Sequence, residues 1–177
     1  MKPVALVADL EFYPTDSVEK LKKSFEVISS NAKSEHELFE ELNKSNAQVY
    51  FCGLGIFIGA NVLDESKSLE YLVSPATGVT HLDLEYIHSR NILLIKLGDM
   101  KSQIENVFAT SELAWGLLIE CSRHLSSAVN SVKEGNFDRS RFLGRELFAK
   151  TLGVIGFGRL GRQVAKYGSA FGMNVVV

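Results

Sequence analysis

The stretch that most limits what this chain can become is Thr151–Val177, TLGVIGFGRLGRQVAKYGSAFGMNVVV. An apolar run, Leu152 to Ile155, leads directly into Gly156-Phe157-Gly158-Arg159-Leu160-Gly161. Leu160, Val164, Tyr167 and Phe171 then recur at helical spacing, and a second apolar run, Asn174 to Val177, follows. Strand, glycine-rich turn, helix, strand is the opening of a dinucleotide-binding βαβ unit. Each glycine has a separate task in that reading. Gly156 turns the chain sharply out of the strand, Gly158 lets the backbone approach a pyrophosphate, and Gly161 lets the helix lie close to the sheet. The free amides near Arg159 and Leu160 then face the phosphate oxygens, with the positive end of the helix dipole behind them. A tight turn with no ligand is the plainer alternative; the strand–helix–strand context favours the nucleotide. The acid that would bond the adenosine ribose lies roughly 20 residues past the glycines, beyond Val177, so these residues do not distinguish NAD from NADP.

The same alternation runs through the earlier chain. Val4–Ala8, Glu26–Ile28, Gln48–Cys52, Tyr71–Ser74 and Asn91–Lys96 read as strands. Between them, helices are expected from Asp16 or Ser17 to Phe25, after the capping box Ser34-Glu35-His36-Glu37, from about Ile58 to Leu63, and from Asp83 to Ser89. Short strands alternating with short helices indicate a parallel, flavodoxin-like α/β sheet. Ile104 to Glu134 reads as one long helix, with Leu113, Leu117, Cys121 and Leu125 facing one side and Gly135 as the stop. The expected division is a first domain over 1–98 and the start of a Rossmann domain over 99–177.

Composition narrows the classes. The chain has 177 residues, is 46% hydrophobic and 23% charged, and carries a formal net charge of -2. That balance offers no electrostatic case for nucleic acid or a membrane surface. The tract around Leu113–Cys121 is flanked by Glu112 and broken by Glu120, which argues against a bilayer span. Cys52 and Cys121 sit among apolar neighbours and read as buried free thiols of a reducing, cytoplasmic compartment. No metal-ligand spacing accompanies them.

A second informative stretch is Ser74-Pro75-Ala76-Thr77-Gly78-Val79-Thr80-His81-Leu82-Asp83, at the carboxyl end of the fourth strand. Ligands of open α/β sheets sit outside such strand ends. Outward-turned amides around Thr77 and Gly78 can hold a carboxylate. The plainer reading leaves Pro75 and Gly78 shaping a turn and Asp83 capping a helix. His36, His88 and His124 read as surface or helix-end residues, and His81 gains interest only from its loop. Arg159 is either a phosphate contact or an exposed arginine at a helix start.

These stretches together resemble the D-isomer-specific 2-hydroxyacid dehydrogenases. LFAKTLGVIGFGRLGRQVAKYGSAFGMNVV is similar to that family's nucleotide unit, and ATSELAWGLLIECSRHL (Ala109–Leu125) to the helix that enters it. SPATGVTHLD resembles the family's substrate-domain loop, and EGNFDRSRFLGREL its connecting segment. The resemblance implies an oxidoreductase moving hydride between NAD(P) and C2 of a small D-2-hydroxy or 2-keto acid. It implies cofactor contacts at Gly156, Phe157, Gly158, Arg159, Leu160 and Gly161, with Thr110 near the nicotinamide end. Ala76, Thr77 and Gly78 would take the substrate carboxylate, and Glu112–Val132 would pair two copies as a homodimer. Thr80-His81 stands where many members have Asp-Asn. No residue here matches the family's catalytic Arg, Glu and His, so no catalytic residue is assigned and the chain is expected to be an inactive front part of a longer enzyme. A non-catalytic NAD(H)-sensing or corepressor-like protein on the same scaffold is the alternative.

Overall fold

Short runs of three to five residues build the first sheet in the computed structural model, which describes all residues from Met1 to Val177. The strands are β1 (Val4–Ala8), β2 (Glu26–Ser30), β3 (Val49–Phe51), β4 (Tyr71–Ser74) and β5 (Leu93–Lys96), all parallel in the order β2-β1-β3-β4-β5. Because side chains alternate across a strand, each one feeds two layers. Leu6, Tyr50 and Leu72 point to one face and share a buried cluster with Leu38 and Leu42 of α2 (Glu35–Ser45), Val62 and Leu63 of α3 (Ala60–Leu63), and Ile87 of α4 (Leu84–Ser89). Ala5, Val7 and Val49 point to the other, against Phe25 and Tyr13 on either side of α1 (Thr15–Ser24). Each aliphatic side chain taken fully out of water there contributes about 1.5–3 kcal/mol.

The helix starts follow local chemistry with instructive exceptions. Ser34 Oγ accepts the Glu37 N–H at 3.3 Å, and Asp83 Oδ1 accepts the Tyr86 N–H at 3.0 Å. Glu37 reaches back to the Lys33 amide at 2.7 Å, one residue before the amide a capping box would use. α1 begins at Thr15, behind Pro14, with no side-chain cap. Pro14 presets a helix-compatible φ, and Asp16 serves inside the first turn, where the dipole favours it. Ile58 lies outside its expected helix. Fully buried, it forms a parallel bridge with Leu82, and α3 is only four residues long.

The expected single helix over Ile104–Glu134 is three. α5 (Lys101–Ile104) is separate, and α6 (Ala109–Arg123) and α7 (Leu125–Lys133) meet at His124, whose φ of 55° is left-handed. The buried phase also differs from the expected one. Ser111 and Trp115 are buried, whereas Leu113, Leu117, Cys121 and Leu125 are exposed. Periodicity fixes which residues share a stripe, and the neighbour fixes which stripe is covered. Here the neighbour is α8 (Arg159–Ala170): Trp115 packs on Tyr167 and on Phe171, with ring centroids 5.9 and 5.0 Å apart. Of the two free thiols, Cys52 is buried as expected and Cys121 is exposed.

β6 (Thr151–Gly153) and β7 (Asn174–Val176) pair in parallel on either side of α8, completing a βαβ unit. The chain divides into two compact units, Met1–Ile104 and Glu105–Val177. No helix is long and apolar enough to cross a membrane.

Candidate functional site

In the second unit, the glycines of the β6–α8 turn each meet a different constraint. Gly156 has a φ of 95°, a left-handed value that any Cβ would strain. A Cβ on Gly161 would collide with the Gly156 carbonyl oxygen and stand 3.3 Å from Val154 Cγ1, so the first turn of α8 rests directly on the loop backbone. Gly168, one helical stripe further on, is a glycine that sequence reading passed over. A Cβ there would lie 2.6 Å from Leu152 Cδ2, so this residue also sets how closely α8 lies on β6.

Gly158 differs from these. It is the N-cap of α8, no side chain caps the helix, and a Cβ at this position would meet no atom within 4 Å. The amides of the first turn, Arg159, Leu160 and Gly161, have no intrahelical acceptor by position. The result is an uncapped helix mouth opening onto free space, with the positive dipole end behind it. Those are the requirements of a pyrophosphate, so the residues present fit a dinucleotide. The Arg159 side chain folds away to donate to the Val107 carbonyl, and Arg162 Nη1 donates to the Phe157 carbonyl at 3.5 Å. Phe157 is half exposed, and Thr110, in the first turn of α6, is exposed.

In the first unit, the loop after β4 is fixed at both ends. Ser74 is 2% exposed, and its Oγ accepts the Ala76 N–H at 3.3 Å and lies 3.3 Å from His81 Nε2. Cys52 Sγ is 3.9 Å from the same nitrogen. Burial holds the His81 imidazole below its usual pKa, which leaves a neutral ring able to accept the Ser74 hydroxyl proton. Burial also pushes the Cys52 thiol up to about 11, against the opposing effect of its Ser74 contact, so it is an unreactive thiol at neutral pH. At the far end, Ile58 N donates to the His81 carbonyl and Asp83 N to the Ile58 carbonyl, both at 2.9 Å. Thr77 and Gly78 are exposed between these anchors and Ala76 is partly buried. Gly98 is a further support without a sequence signal. A Cβ there would fall 2.8 Å from the Thr77 carbonyl oxygen, so only glycine lets the loop lie on the turn after β5.

A parallel βαβ unit with an uncapped glycine mouth, preceded by a 2-1-3-4-5 parallel sheet, defines a dinucleotide-binding α/β protein. Comparison with known proteins narrows that class. Residues 115–177 match the NAD-binding domain of the D-isomer-specific 2-hydroxyacid dehydrogenases. D-3-phosphoglycerate dehydrogenase of Methanocaldococcus jannaschii is 33% identical over 161 residues, 91% of this chain and 29% of that protein. Hydroxypyruvate reductase of Thermotoga maritima is 32% identical over 119 residues, 67% of this chain and 37% of that protein. The structure of Aquifex aeolicus D-lactate dehydrogenase, complexed with NAD and lactic acid, superposes with a TM-score of 0.73 at 26% identity, covering 97% of this chain and 50% of that one. The chain belongs to the D-isomer-specific 2-hydroxyacid dehydrogenase family, and the cofactor of its matched domain is NAD. It spans 29% and 37% of the length of these two curated relatives.

Proposed function

We propose that this chain supplies the cofactor mouth and the carboxylate loop of an NAD-dependent dehydrogenase acting on a small D-2-hydroxy or 2-keto acid. In this reading residues 1–98 form the substrate side and 99–177 the NAD side. The amides of Gly158, Arg159, Leu160 and Gly161 hold the pyrophosphate, Gly156 and Phe157 shape the approach to it, and Thr110 stands toward the nicotinamide end. The Ala76–Gly78 loop orients the substrate carboxylate, so that its C2 is presented in one direction. When bound, NAD supplies the hydride acceptor or donor. Two copies pair through α6 and α7.

The observation that carries the reading is the contrast between Gly158 and Gly161. One is open to solvent space, and the other is closed by the protein's own backbone. The test is a titration of NADH fluorescence, with the single tryptophan, Trp115, as energy-transfer donor. Wild type is expected to bind NADH saturably. Gly158→Ala should keep the wild-type circular dichroism and weaken NADH by about tenfold or more, because its methyl occupies ligand space alone. The absence of saturable NADH binding, or a Gly158→Ala variant that binds as wild type does, would overturn the reading.

A further inference from the structure

The carboxyl edge of the five-stranded sheet carries a second feature, separate from the Ala76–Gly78 loop. A cavity of about 260 Å³ opens there, lined among others by Asp9 after β1, Ser30 and Lys33 at and after β2, and Tyr50, Gly53 and Gly55 at and after β3. In the order β2-β1-β3-β4-β5 the chain passes from β1 to one neighbour and later returns to its other side. Connections therefore diverge between β1 and β3, and such a reversal opens a crevice outside the strand ends.

The lining is polar and carries both charges. Asp9 sits at φ 53° and ψ 32°, left-handed for a non-glycine residue, with its side chain exposed at the cavity. Gly53 gives that carboxylate room: a Cβ there would stand 2.9 Å from Asp9 Oδ2. At Gly55 a Cβ would meet nothing within 4 Å. Neither ion pair in the structure, His36–Glu40 or Lys96–Asp99, uses Asp9 or Lys33. Burial pushes the Tyr50 phenol up, which keeps its hydroxyl a neutral donor. Ser30 Oγ is already committed to Glu41.

We propose that this cavity binds a small zwitterion, its ammonium group on the Asp9 carboxylate and its carboxylate on the Lys33 ammonium. A simple anion would be repelled by Asp9 and a simple cation by Lys33, whereas a zwitterion satisfies both. Size is consistent with this. At roughly 30 Å³ per water, the space holds about eight or nine waters, which suits an amino acid.

The experiment is an amide-shift titration of the ¹⁵N-labelled full chain with glycine, β-alanine and 4-aminobutyrate, whose charges are spaced progressively further apart. Acetate and ethylamine are the singly charged controls. At least one zwitterion is expected to shift the Gly53 and Gly55 amides saturably, with the controls weaker by about tenfold or more. Asp9→Asn, in which asparagine also tolerates the left-handed backbone, and Lys33→Met should each weaken binding by about tenfold with spectral dispersion unchanged. No saturable shift with any of the three, equal shifts with the controls, or binding untouched by both variants would overturn the proposal. The readout lies in the first unit and needs no NADH, so its failure is distinct from failure of the dehydrogenase reading.

Discussion

At the scale of single residues, His81 and Trp115 hold their units together by different means. Burial lowers the His81 pKa below 6.5 in the folded chain, so the unfolded chain takes the proton first as pH falls. The stability that the neutral ring contributes is complete above pH 6.5, declines as pH drops through 6.5, and levels off below the folded value. The urea midpoint should therefore fall between pH 7.5 and 5.5, and His81→Gln should flatten that fall; an unchanged slope in the variant would sink the assignment. Trp115 fills the contact with Tyr167 and Phe171 while its indole Nε1 is buried without a partner. Trp115→Ala is expected to cost about 3–5 kcal/mol by leaving a cavity. Trp115→Phe keeps a ring and removes the orphan donor, whose burial costs about 1–3 kcal/mol, so denaturation should place it much nearer wild type. Neither role was written in the local sequence, because an orphaned N–H and a desolvated imidazole are defined by distant neighbours.

At the scale of elements, α6 separates what spacing fixes from what packing fixes. Leu113 and Leu117 share a stripe, as their spacing requires, yet they are 65% and 55% exposed while Trp115 is buried. On the dimer proposal, that stripe and the exposed Leu125, Val129 and Val132 of α7 meet a second copy. Sedimentation should show a dimer for wild type and a monomer for the Leu113→Glu, Leu117→Glu double variant, with NADH affinity retained. A wild-type monomer at tens of micromolar or so would remove this part of the reading. The strands were legible to within a residue or two, since short apolar runs bounded by turn residues have few alternatives. The break at His124 was not, because a left-handed histidine between two helical segments leaves the hydrophobic period almost intact.

At the scale of the whole molecule, the site residues divide into binding groups and structural ones. His36 is paired with Glu40 at 3.6 Å on an exposed helix face, and His81 is occupied by Ser74 and Cys52. The first is a solvent-exposed pair on α2 and the second contacts no carboxylate, so neither is set up as a buried histidine–carboxylate pair for moving a hydroxyl proton. On the proposed reading, in which this chain supplies the cofactor mouth and the carboxylate loop, these 177 residues are expected to bind NADH without oxidising it in the presence of pyruvate, glyoxylate or hydroxypyruvate. A turnover of about 1 s⁻¹ or more, followed at the NADH absorbance, would overturn that expectation. Sequence alone determined the βαβ unit, the tasks of Gly156 and Gly161, and the parallel alternation before them. Those depend on backbone sterics and short-range periodicity, which each residue carries with it. Tertiary structure decided which stripe of α6 is covered, that Gly98 and Gly168 are close-approach positions, and that Asp9 and Lys33 share a cavity. Those are relations between residues far apart in the chain, and they exist only once the strands have fixed where the loops return.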